Sequence, residues 1–302
     1  MRKIFDSYIM VDWSAASKPT TGSDSIWIGA LTPDARMKLK FSSSNPETRE
    51  KAVQQLKAAI ERLTKRGDRV LVGFDFSLGF PRGTSAALNI GSEEQSPWEA
   101  LTTFLSREMK DRPDNSNNRF PLAARMNRLI SDGPFPFWGC AKKDELTTLT
   151  VKKARDHQKD DLPEFRLTET RCIEQKRGRP QPVWKLSYAG AVGGQTLTGI
   201  PRVLELRNQF TDNSAIWPQE TGWIDSADQF PQVLFSEVYP SLVQAKPRAG
   251  QTKDESQVES LCFEFSKLDE SGTLFELFRQ PEAINDVESE VICREEGWIL
   301  GI

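Results

Sequence analysis

The sequence holds a single histidine among its 302 residues, His157, and that scarcity excludes more chemistry than any other count. Zinc sites built from several imidazoles and the H-E-x-x-H metalloprotease pattern are impossible. A Ser-His-Asp triad would have to use His157 itself. That residue sits in the polar run KKARDHQKDD and reads as part of a solvated helix face or loop. Cysteine is almost as scarce: Cys140, Cys172, Cys262 and Cys293 lie far apart, without paired spacing. Free, buried thiols in a cytosolic protein suit that pattern better than a disulfide scaffold. Long apolar runs are missing too, none approaching the roughly 20 residues of a membrane helix. The opening MRKIFDSYIM contains Asp6 and leads into a strand-like run, with no signal-peptide pattern. A cytoplasmic location without a membrane partner is expected. Nor does one sign of charge dominate: the net charge of −3 makes no global electrostatic case for nucleic-acid binding. Locally, residues 141–210 are net basic and 251–302 net acidic. No feature speaks to oligomeric state.

What is present is ordinary globular material, 37% hydrophobic and 27% charged, long enough for one elaborated domain or two compact ones. SYIMVDWSA is an apolar run ending at Asp12 and reads as a buried strand. A turn at Lys18–Gly22, a strand in DSIWIGAL, a turn at Pro33–Ala35 and the alternating MKLKFSS follow, which together suggest an antiparallel meander. Asn45 offers an N-cap and Pro46 a first-turn residue for a helix closed by Gly67. RVLVGFDFSLGFP is a second continuous apolar strand, ending at Asp75. The order β-β-β-α-β predicts a mixed sheet whose first and fourth strands are parallel neighbours. Residues 83–230 read as a large, mostly helical insertion, with helices at about 96–110, 119–131 and 143–159. QVLFSEVYPSL then returns to strand pattern with Glu237, and Thr252 caps a helix starting near Asp254. A last helix covers about 282–294.

Asp12, Asp75 and Glu237 share one property: each is an acid at or near the carboxyl end of an apolar strand. An ionised carboxylate there is costly unless paired, and the carboxyl ends of parallel strands form the ligand crevice of open α/β sheets. If the three strands are parallel neighbours, their acids converge, and Asp254 at the following helix start reaches the same crevice. Carboxylates so close require a cation, and oxygen-only ligation suits Mg²⁺ or Mn²⁺. Two such ions about 4 Å apart would stabilise attacking and leaving oxygens of a phosphodiester. Singly, each acid has an ordinary explanation: Asp12 capping a turn through Ser14, Asp75 holding the backbone of Ser77–Gly79, Glu237 paired with an arginine such as Arg202, Asp254 as a first-turn acid.

The set VDWSA, FDFSLGFP, SEVYPSL and KDESQV resembles an uncharacterised bacterial family of predicted nucleases with the ribonuclease H-like fold. PVWKLSYAGAVGGQTLTGIP resembles a segment of that family's larger relatives. The resemblance touches both ends of the chain and the glycine-rich middle, and its specificity lies in the order of short motifs. It implies a single domain over residues 1–302, with a five-stranded mixed sheet from core segments 7–82 and 231–302. It also implies a metal-binding cluster of Asp12, Asp75, Glu237 and Asp254, and the leading expectation is divalent-metal-dependent phosphoester hydrolysis in a nucleic acid or nucleotide. Lys253 is the candidate for steadying developing phosphate charge. The run from Gly190 to Gly199 reads as a close-packed turn or a phosphate-holding loop, without the Lys-Ser/Thr of a P-loop. Lys185 and Arg202 flank it. Trp13 and Trp138 are either core residues or base-stacking platforms, and Ser14 and Ser77 lack an evident base. Two other readings stay open: an ATP-dependent phosphotransferase of the sugar-kinase or actin-like type, and a non-catalytic binding protein retaining the fold.

Overall fold

A computed structural model describes residues 3–302. Six strands form one sheet in the order β3-β2-β1-β4-β6-β5: β1 (Ser7–Asp12), β2 (Trp27–Pro33), β3 (Leu39–Ser44), β4 (Val70–Phe74), β5 (Ser214–Ile216) and β6 (Val233–Glu237). The first three make the expected antiparallel meander. β1, β4, β6 and β5 are parallel neighbours, as a helical crossover from β3 to β4 requires. β5 is the strand beyond the expected five. Its three residues lie parallel to β6 at the sheet edge, too short a segment to leave a period in the sequence.

Eight α-helices surround the sheet: α1 (Arg49–Lys65), α2 (Thr84–Ala87), α3 (Pro97–Glu108), α4 (Arg119–Ser131), α5 (Leu167–Glu174), α6 (Gly193–Gln209), α7 (Lys253–Glu270) and α8 (Asp286–Val291). Side chains alternate across a strand, and β1 divides the core accordingly. Ile9 and Val11 pack with Leu56 and Ile60 of α1, Phe104 of α3 and Leu197 of α6, whereas Tyr8 and Met10 pack with Val258, Leu261 and Phe265 of α7. α7 is also clasped to the start of the chain. Near its end, Asp269 accepts the N–H groups of Ile4 and Phe5, both at 2.8 Å, and the Tyr8 hydroxyl at 2.6 Å. No helix among the described residues is long and apolar enough to cross a membrane.

Two local expectations need correction. The cap of α1 is Thr48, whose hydroxyl accepts the Lys51 N–H. Asn45 is otherwise engaged: its amide donates to Ser25 Oγ (2.8 Å) and the Ile26 carbonyl (2.6 Å) and accepts from the Gly22 N–H (2.7 Å). The helix expected over 143–159 is not formed, apart from a 3-10 turn at Lys142–Asp144. Its leucines lack a helical stripe; Leu146 and Leu149 instead bridge to each other across a tight turn. His157 is therefore neither on a helix nor freely solvated. It is half-buried against Phe135 (ring centroids 4.6 Å apart), with Nδ1 2.7 Å from the Leu162 carbonyl, and burial pushes its pKa down. Three of the four free thiols are buried; that of Cys293 is partly exposed.

Candidate active site

Asp12 closes β1, Asp75 follows β4 by one residue, and Glu237 closes β6. Because these strands are parallel neighbours, all three acids stand at one edge of the sheet. α7 begins at that edge, its N-terminus fixed by Thr252, which accepts the Glu255 N–H at 3.1 Å. Its first turn carries Asp254. A cleft of about 880 Å³ opens there, lined by Asp12, Asp75, Glu237, Asp254 and, from the turn after β1, Asp24.

Asp12 and Asp75 stand level on neighbouring parallel strands, and each carboxyl acts on the other's titration. Burial, then Asp75, Asp254 and Asp24, hold the Asp12 carboxyl well above its ordinary range. Burial likewise pushes Asp75 up to about 7, against the opposing Trp13 N–H, which donates to Asp75 Oδ1 at 2.8 Å. The pair titrates as a unit. Asp254 is raised chiefly by burial, opposed by the Asp24 N–H donating to its Oδ2 at 2.8 Å. The edge thus concentrates negative charge that only a proton or a cation relieves.

Glu237 does not join this group. The fully buried Arg166 forks onto it, Nη1 to Oε2 at 2.8 Å and Nη2 to Oε1 at 2.6 Å, and also bonds Glu169 and, at 2.9 Å, the Glu296 carbonyl. Glu237 Oε2 further accepts the Leu78 N–H at 3.1 Å. Register explains the separation. Glu237 lies level with Phe74, not with Asp75, so alternation turns its side chain to the opposite face from the aspartates. The arginine expected as a possible partner, Arg202, pairs instead with Asp111 and Glu205. Lys253 is exposed and lies outside the cleft lining. Among the described residues, no group of three or more His, Cys, Asp or Glu side chains is assembled as a ready metal site. The chain presents an adjacent aspartate pair with a third and fourth aspartate nearby.

The glycine-rich run proves to be a turn at Gly190 followed by the first two turns of α6, where absence of side chains permits close packing. A Cβ on Gly193 would strike the Val183 carbonyl, and one on Gly199 the Phe76 ring. Phe76 is itself wedged against Trp13 and Phe74 and cannot retreat. Gly199→Ala should therefore lower stability by about 1–3 kcal/mol in a urea titration, despite the better helix propensity of alanine. Trp13 is a buried core residue, and Trp138, half-buried under Lys185, lies outside the cleft. Ser14 and Ser77 line the cleft with no imidazole beside them. Sequence reasoning missed Asp24, which looked like one more turn residue in TTGSDS, and Arg119 and Arg166, which belong to no motif. No protein-family model, curated protein or solved structure matches the chain.

Proposed function

We propose that this protein is a divalent-metal-dependent phosphoester hydrolase with a ribonuclease H-like core, acting on a nucleic acid or nucleotide. The observation that carries the reading is the Asp12–Asp75 pair, two largely buried carboxyls side by side in the cleft at the carboxyl edge of parallel strands. Such a pair is a donor set made for a hard cation, because its oxygens are adjacent and its surplus charge is unmet by any protein cation. Asp12 and Asp75 would hold Mg²⁺ or Mn²⁺, with Asp254 contributing from α7; the bound ion would make a water acidic enough to attack phosphorus at neutral pH. The chain's own residues do the rest. The Trp13 N–H fixes the rotamer of Asp75, and the Asp24 N–H fixes Asp254.

The order β3-β2-β1-β4-β6, with a meander on one side and parallel strands on the other, supports the fold assignment. A phosphotransferase of the sugar-kinase or actin-like type would need a duplicated core, whereas the described residues form one sheet. The test is direct. Purified protein should bind Mn²⁺ by calorimetry and cleave at least one of single-stranded, duplex or hybrid nucleic acid, and a chelator should stop cleavage. Failure to bind Mn²⁺, together with inactivity across the panel, would overturn the reading.

A further inference from the structure

The fork between Arg166 and Glu237 has a chemical corollary for the proposed site. Glu237, the acid expected to complete the cluster, is already neutralised by a fully buried guanidinium. Charge that develops on a phosphoryl group must then be met by another positive group in the cleft. Two arginines line it, Arg119 and Arg179. Arg179 is exposed at the rim.

Arg119, the first residue of α4, is different. Its guanidinium donates from Nη1 to Ser17 Oγ (2.7 Å) and Asn117 Oδ1 (3.0 Å), both neutral acceptors. Its Nε is buried with no hydrogen-bond partner. No carboxylate stands within salt-bridge distance of it among the described residues, whereas neighbouring Arg49 and Arg202 both hold Asp111. The guanidinium stacks on Phe120, its Cζ 4.2 Å from the ring centroid, while the stem's Cδ lies against Gly194 in the first turn of α6. That turn has no side-chain cap. Burial and the nearby Arg49 lower the Arg119 pKa to about 10, which still leaves it charged at neutral pH. A partly buried cation without an anion is held at a cost that an incoming anion would relieve, as a cation would for the aspartate pair.

We infer that Arg119 is the anion-binding residue of the cleft, receiving non-bridging phosphoryl oxygens of the substrate while the aspartates hold the cation. The site would therefore use one divalent ion and one guanidinium, and would favour substrates whose phosphate presents two free oxygens to a planar fork. The inference rests on the proposed phosphoester chemistry, but the experiment separates the two. Calorimetry with Mn²⁺ alone should give one ion per chain, with the same affinity for wild type and Arg119→Gln, because Arg119 is not a ligand. Titration of inorganic phosphate into the Mn²⁺-loaded protein should show binding that Arg119→Gln weakens roughly tenfold to a hundredfold. Arg119→Lys, keeping charge but not the fork, should fall between them. Thermal melts of the metal-free variants report whether either substitution unfolds the chain; Arg119→Lys carries the test if Arg119→Gln does. Phosphate binding that is undetectable in wild type, or equal in both variants and wild type, overturns the inference, as does a stoichiometry of two ions. Phosphate binding that needs Arg119 in a protein that takes up no Mn²⁺ would leave the anion site standing and remove the metal reading.

Discussion

Asp75→Asn should abolish the response to Mn²⁺ while making the metal-free protein more stable at alkaline pH. Asparagine keeps an oxygen to accept the Trp13 N–H but removes one of two carboxylates forced together. In wild type, the raised carboxyl pKa values mean that the native state binds more protons than the unfolded chain between about pH 4 and 7, the upper bound being that of Asp75. More protons on the native state makes stability fall as pH rises through that window, with a slope of up to about 1.4 kcal/mol per pH unit for each proton of difference. The contribution is complete below the unfolded pKa and gone above the folded one. A cation bound by the ionised pair reverses the loss, so the Mn²⁺-induced rise in melting temperature should be small at pH 5.5 and large at pH 8. Asp75→Asn should melt higher than wild type at pH 8 without metal, show no Mn²⁺ shift, and lose at least about 10²–10³-fold in hydrolysis. A binding protein with merely structural aspartates would give equal Mn²⁺ responses in both, and that outcome in differential scanning fluorimetry would discard the catalytic assignment.

The second large effect concerns Arg166. Arg166→Met should cost about 3–5 kcal/mol of folding stability, measured as a shift in the urea midpoint, because it leaves Glu169 and Glu237 charged, buried and facing each other. Adding Glu237→Gln to that variant should recover part of the loss, since the surplus negative charge is then removed. If Arg166→Met unfolds at the wild-type midpoint, the guanidinium is not neutralising Glu237, and the argument for a single ion loses its basis.

Much of this arrangement could be read from residue order. The apolar runs closed by Asp12 and Asp75 carried their own polarity, and the β-β-β-α-β order fixed which strands lie side by side. Thr252 before Asp254 announced where α7 begins. Two things were hidden. Whether Glu237 belongs with the aspartates depends on a one-residue register between β4 and β6, and register is set by packing across distant segments. The arginines that define the cleft's charge, Arg119 and Arg166, come from the insertion, where no periodicity distinguishes a guanidinium aimed inward from one in water. His157 failed in the same way, its polar neighbours concealing a half-buried ring.

The clasp between α7 and the first strand sets a timetable for the molecule. Asp12 is synthesised long before Asp254 and before the Asp269 that grips Ile4, Phe5 and Tyr8. Until then β1 has one face bare and the cleft lacks a wall. The cleft would therefore be complete only once the residues beyond 250 have been made and α7 has docked.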